Sequence, residues 1–359
     1  MKERLALVFL VALRMCIGWH FLVEGFEKER SIKIGVAEIN KKPFSSEGFF
    51  REGTGPMARL VRSRIGDSDD LALARMTIRG DAANPQMPAA LEQEWNDYFA
   101  RFANHYRLSP EQQERAKTAL QKEKDQTALW FVVRPGTVPW ALSGLWNDVD
   151  RGVFKRSYDG GTYEVNLTVA ERVEEYRRKV EEYRGLLEGR RYTFGKDVDK
   201  GSRTAVRGEV TALRTELQRL IDGRTEQMKK ALTDAAQLSN DQKALGPVPE
   251  PPKHWLIRFL DFTTPWLLIL VGAGLLLGLF SRTSAILGAL FLLTTILTWP
   301  SLPWLPAPPN SEGNYLIISK NVIEMLALLM LACIPSGRWF GLDAIIHVLN
   351  PWRKKNEDQ

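Results

Sequence analysis

Apolar positions fall into two regimes along this chain. Predominantly apolar runs occupy residues 265–280, 284–299 and 315–334, and a fourth covers residues 5–23 at the opposite end of the sequence. Crossing roughly 30 Å of hydrocarbon takes about 20 apolar residues, so the first two runs are near the lower limit and the third is comfortable. The pattern predicts a mainly α membrane protein, a four-helix transmembrane bundle with a mostly helical domain inserted at 57–252. The second regime lies in that insert, where Val169, Val173, Tyr176, Val180, Tyr183 and Leu187 step by four and three, as do Val206, Val210, Leu213, Leu217 and Leu220. Two heptad stretches joined by a polar turn at 189–202 predict an antiparallel coiled-coil hairpin about 35 Å long.

The intervening segments divide the chain further. Residues 1–28 hold the first transmembrane helix. Residues 29–56 are an interfacial segment, whose Gly, Pro and aromatic content at 44–56 argues against a helix. Helices are expected at 57–79 and 88–107. Another starts at Ser109, with Pro110 at its first position and Gln112 completing a capping box. Residues 130–161 are aromatic and glycine-rich, which suits short strands or an ordered loop with Trp140 and Trp146 buried. The turn Leu108-Ser-Pro-Glu-Gln112 is echoed at Leu238-Ser-Asn-Asp-Gln242, a partial match that carries no weight by itself. Residues 246–252 contain four prolines and form a stiff linker. In the closing block, 253–349, Trp255, Phe259 and Phe262 beside Lys253, Arg258 and Asp261 predict a short interfacial helix before Pro265 begins the second crossing. Residues 350–359 form a tail.

Charge narrows the function classes. The net charge is +6 and the pI about 9.2, yet lysines and arginines alternate with acids and form no basic block with aromatic platforms, which argues against nucleic acid. The positive-inside rule applied to Lys2, Arg4, Arg282, Arg338, Arg353, Lys354 and Lys355 places both termini in the cytoplasm and the insert in a bacterial periplasm. Arg14 and His20 interrupt the first run and no cleavage site follows, so it reads as an uncleaved anchor. Cys16 and Cys333 are isolated, the histidine spacing suits no metal, and no nucleotide, haem or flavin fingerprint is present.

Ionisable side chains inside a bilayer are costly and therefore mark function by default. Arg14 and Glu324 each lie about nine residues, roughly 14 Å, inward from opposite ends of antiparallel helices, so matched depth pairs them near the midplane. His20 and Glu24 share a face of the first helix, with Lys320 and Asn321 at comparable depth on the fourth. The resulting polar column could bind a quinone head group, conduct a proton or tie two helices together. Gly272, Gly274, Gly278 and Gly288 supply small surfaces for close helix approach.

Arg14-x3-Gly18-Trp19-x-Phe21-Leu22-x2-Gly25-x2-Lys28, the segment 44–56, the stretch 272–282 and Gly337-Arg-Trp-Phe-Gly-Leu-Asp343 together resemble the DoxX family. The likeness covers roughly residues 4–60 and 253–349, and is greatest to the small membrane subunits, of DoxD type, of thiosulfate:quinone oxidoreductases. It implies a four-helix bundle working with quinone or a redox partner, with oxidation of thiosulfate to tetrathionate as the activity of that enzyme. Carried onto this chain, the family positions are Arg14, Lys28, Arg282 and Asp343. Typical members lack the insert, whose heptads also fit a membrane scaffold that recruits an envelope protein.

Overall fold

The computed structural model describes residues 2–34, 43–80, 84–132, 153–158, 161–166, 168–188, 200–302, 305 and 318–349. It is mostly helical, at 80%. In chain order come α1 (Lys2–Ile34), α2 (Glu47–Glu52), α3 (Pro56–Ile65), α4 (Ser68–Ala74), α5 (Ala89–His105), α6 (Pro110–Val132), α7 (Val169–Leu187), α8 (Lys200–Ala236) and α9 (Asn240–Lys243). Helices α10 (Trp255–Leu277), α11 (Ser281–Thr298), α12 (Lys320–Cys333), α13 (Ser336–Trp339) and α14 (Leu342–Leu349) complete them. Two antiparallel strand pairs are present, β1 (Arg79–Gly80) with β2 (Pro85–Gln86) and β3 (Val153–Tyr158) with β4 (Gly161–Asn166). The chain forms two compact units, Met1–Asp67 with Pro252–Gln359, and Ser68–Pro251. The helix Pro56–Ile65 therefore belongs with the apolar unit, although the sequence reading began the insert at 57.

In the apolar unit, α1, α10 and α11 are long and apolar enough to cross a membrane. Their outward side chains, such as Phe9, Leu270 and Leu290, are exposed, as expected where lipid replaces water as the neighbour. Helix α12 is also apolar, but its 14 residues fall short of a full crossing. Helices α1 and α10 meet through glycine. A Cβ on Gly272 would lie 2.5 Å from the Leu22 amide nitrogen, and one on Gly25 would lie 2.8 Å from that of Ile269. Only hydrogen fits at such separations, so these glycines set the interhelix distance. Ile17, Phe21, Leu268, Val271, Leu292 and Leu328 fill the core between the helices.

Two sequence expectations change here. Pro265 does not begin a helix but sits inside α10, which starts ten residues earlier at Trp255. Proline removes one N–H from the ladder, and the turn before it is fastened from outside by Asp261. That carboxylate accepts from the Ser46 amide at 2.6 Å and the Ser46 hydroxyl at 2.7 Å. Residues 44–56, expected to be non-helical, contain the six-residue α2. The end of α11 holds it in place: Trp299 Nε1 donates to the Phe49 carbonyl at 3.1 Å, and the Gly55 amide donates to the Thr298 carbonyl at 2.9 Å. A Cβ on Gly55 would lie 2.0 Å from the Leu297 carbonyl, so glycine is required for that approach.

The second unit has its own core. Helices α7 and α8 run antiparallel, with Lys179 reaching Glu209 at 2.6 Å and Arg172 reaching Glu216 at 3.2 Å. Val169, Val173, Tyr176, Val180 and Tyr183 are buried with Val210, Leu217 and Leu220, but in one cluster that includes Leu91, Trp95 and Phe102 of α5 and Leu120 of α6. Leu187 is exposed and Leu186 is buried in its stead. The helix expected over 57–79 is broken at Gly66, whose φ of 82° no β-carbon-bearing residue adopts readily. Trp140, Trp146 and most of the expected 189–202 turn lie outside the described residues.

The two echoed turns come together as a pair. Ser109 and Gln112 form a capping box, with the Ser109 amide donating to Gln112 Oε1 at 3.0 Å, and Ser239 with Gln242 repeats it at 2.9 Å. Arg107 and Gln237 both take left-handed backbone, φ 47° and 48°. Gln112 then donates to the Ala236 carbonyl at 3.1 Å and Gln242 to the Tyr106 carbonyl at 2.8 Å, while the two amides bond each other at 3.2 Å. Each turn thus satisfies the carbonyl at the end of the other turn's preceding helix.

Candidate functional site

A pocket of about 340 Å³ opens among α1, α10, α11 and α12, beside the segment carrying α2. Its polar wall follows from spacing. His20, Glu24 and Lys28 stand four residues apart on α1 and therefore share a stripe, while Lys320, Asn321 and Glu324 come from the first turns of α12. Phe21, Phe44, Phe49, Phe50 and Phe291 supply aromatic walls, and Leu268, Leu292 and the hydroxyl side chains of Ser46, Thr264, Thr294 and Thr295 complete the enclosure. His20 Nδ1 and Glu324 Oε1 are 2.9 Å apart, with Glu324 the more enclosed of the two at 11% side-chain exposure. Lys28 donates to Glu24, and its ammonium sits over the Phe44 ring at 5.7 Å from the centroid. The site therefore combines flat apolar surfaces, cationic donors and a carboxylate–imidazole hydrogen bond able to hold a proton in either direction.

Of the residues named from sequence, His20, Glu24, Lys28, Lys320, Asn321 and Glu324 line this pocket. Arg14 does not meet Glu324. Helix α12 starts at Lys320 rather than 315, so Glu324 lies only four residues, about 6 Å, from the helix start. It is level with His20, and the depth argument that paired it with Arg14 rested on a helix start five residues too early.

Arg14 is instead fully buried at the other end of α11, where its guanidinium donates to the Phe340 carbonyl and its Nε and Nη1 have no hydrogen-bond partner. It fills the space beneath the α10–α11 connection, where Gly278 and Phe280 take left-handed backbone. Asp343 caps the start of α11 there, accepting from the Phe280 amide at 2.7 Å, the Ser281 amide at 3.0 Å and the Ser281 hydroxyl at 2.7 Å. Burial alone would raise the Asp343 pKa. The hydrogen bonds from Ser281 and Phe280 and the charge of Arg14 outweigh it and hold the carboxyl below its ordinary value. Arg14 and Asp343 therefore act as a structural tie. Arg282 lies with Asp343 around a second recess.

Sequence reasoning missed the phenylalanines of 44–50 as pocket walls, and Asp261 as the fastening of that segment. Their signal was the aromatic run beside small residues, which fits an interfacial segment equally well. Among the described residues no group of three or more His, Cys, Asp or Glu side chains is placed to hold a metal ion. Comparison of the chain with family models, with curated proteins and with solved structures finds no match. Among the described residues, three long apolar helices mark it as a membrane protein. Any narrower class rests on the pocket.

Proposed function

We propose that this chain is a DoxX-like membrane subunit that takes a quinone head group into the His20 and Glu324 pocket, as part of a redox complex of the thiosulfate:quinone oxidoreductase kind. The observation that carries this reading is the 2.9 Å contact between His20 and Glu324 in a wall that also presents five phenyl rings. A quinone presents a flat apolar ring with two carbonyl acceptors, and when bound it takes up two electrons and two protons. Phe21, Phe49, Phe50 and Phe291 suit the ring face, and His20, Lys28 and Lys320 are the donors nearest to hand. His20 and Glu324 hold a proton at the pocket wall and can release it to an acceptor there. No electron carrier is evident in the sequence, so a partner supplies electrons. In this reading α12 is the fourth crossing of a bundle with both termini in the cytoplasm of a bacterial inner membrane. Helices α7 and α8 act as a periplasmic coiled-coil hairpin that meets the partner.

A second reading, a scaffold without redox chemistry, is favoured by the size and independent core of the Ser68–Pro251 unit. Titrating a short-chain ubiquinone analogue into the full chain in nanodiscs, read by tryptophan fluorescence, separates the two. Saturable binding that weakens about tenfold in Glu324→Gln, the scale of one lost charge-assisted hydrogen bond, supports the redox reading. Absence of saturable binding to the native chain leaves the scaffold.

A further inference from the structure

The second recess, of about 270 Å³, lies at the Ser281 end of α11, whereas the quinone pocket touches Thr294 and Thr295 near the other end. Arg282, Arg338 and His347 line it. Among the described residues neither arginine side chain makes an ion pair or a hydrogen bond, so two guanidinium groups face one small space with their donors uncommitted.

The carboxylate that shares the space does not answer them. Asp343 already accepts three hydrogen bonds at the start of α11, with Arg14 close enough to act on its charge. The recess thus retains excess positive charge in a geometry where forked guanidinium donors match the oxygens of a phosphate.

What surrounds the recess says where that phosphate comes from. Helices α13 and α14 present Trp339, Leu342, Ile345, Val348 and Leu349 outward, with Val348 77% exposed and Leu349 72%. An exposed tryptophan and a short helix with an apolar outer face are features of the boundary between acyl chains and head groups. We infer that this recess binds the phosphate of an anionic phospholipid, held by Arg282 and Arg338 with His347 beside them, while its acyl chains run along the outer face of α14. The site is separate from the quinone pocket and stands whether or not that pocket binds quinone.

The test uses the full chain, purified and delipidated in detergent, with lipid binding read by native mass spectrometry. Phosphatidylglycerol should bind and phosphatidylcholine should not. Each arginine removed should weaken the complex about fivefold, the usual value of one cation near an anionic lipid surface. Arg282→Gln with Arg338→Gln should therefore lose about 25-fold, the paired lysine variant should retain part of the binding, and Arg258→Gln, exposed on α10, should bind as the native chain does. Equal binding of the two lipids would overturn the proposal, as would native binding of phosphatidylglycerol by the double glutamine variant. Millimolar inorganic phosphate is the arm that separates the sources. Its failure to displace the lipid supports a lipid site, whereas displacement assigns the recess to a soluble phosphate ester.

Discussion

Gly278→Ala probes the connection on which the apolar unit turns. Gly278 takes φ 60° and ψ 35°, a conformation that costs a residue with a β-carbon about 1–2 kcal/mol. Space is short as well: the added carbon would lie 2.7 Å from the Gly341 Cα and 3.0 Å from Arg14 Nη1. The first neighbour is backbone and the second is a buried guanidinium, so neither yields freely, and overpacking of this kind costs about 1–3 kcal/mol. Together the loss should be about 2–5 kcal/mol. Gly208→Ala serves as the control, because nothing lies within 4 Å of its added carbon and removing glycine from the middle of α8 gains about 0.5–1 kcal/mol. Thermal unfolding of the full chain in detergent, followed by circular dichroism, should show Gly278→Ala melting about 5 °C or more below native. Gly208→Ala should melt at or slightly above the native temperature. A Gly278→Ala protein melting with the native chain would refute the claim that this left-handed turn, packed over Arg14, holds the helices together.

Two further outcomes test the second unit. Gln112→Ala and Gln242→Ala should each lower its melting temperature, and the double variant should lose less than the sum, because each single change also strands the other amide. Strict additivity would mean that the paired turns do not support each other. Glu92 gives a pH dependence. Burial raises its pKa, but the hydrogen bond from Arg79 and the charge of Lys124 outweigh that and leave it below the ordinary value. A carboxylate depressed in the folded state contributes stability above its unfolded pKa, near 4.5, and loses it as pH falls through the lower folded value. Glu92→Gln should therefore flatten the acid side of the melting profile below about pH 4.5 and leave its shape at neutral pH unaltered. An acid limb identical to the native one would contradict this.

Particular residues show which parts of the structure could be read from sequence. Apolar runs located the long helices because lipid-facing and core positions are both apolar, so length alone carries the signal. Ser109 announced its helix because the capping box is local, and Tyr176 and Leu217 announced their burial through a period of 3.5. The pairing of Arg14 with Glu324 fails because depth depends on where a helix begins, and the mostly apolar stretch 315–334 does not by itself mark the onset of α12 at Lys320. Pro265 heads an apolar run, so the sequence places the start of the second crossing there. Nothing in the sequence showed that Ser46 would fasten the preceding turn through Asp261. The echoed turns were legible as a motif but not as partners, since their contact joins residues more than a hundred positions apart.

The proposed function has a quinone ring lying between the phenylalanines and the His20 and Glu324 pair. Irradiating the full chain in nanodiscs with an azidoquinone, followed by peptide mapping, addresses it directly. Label on peptides spanning 20–28, 44–50 and 320–324, suppressed by unlabelled ubiquinone analogue and reduced in Glu324→Gln, is the expected result. Label spread over the outer faces of α10 and α11 and insensitive to competitor would contradict the claim.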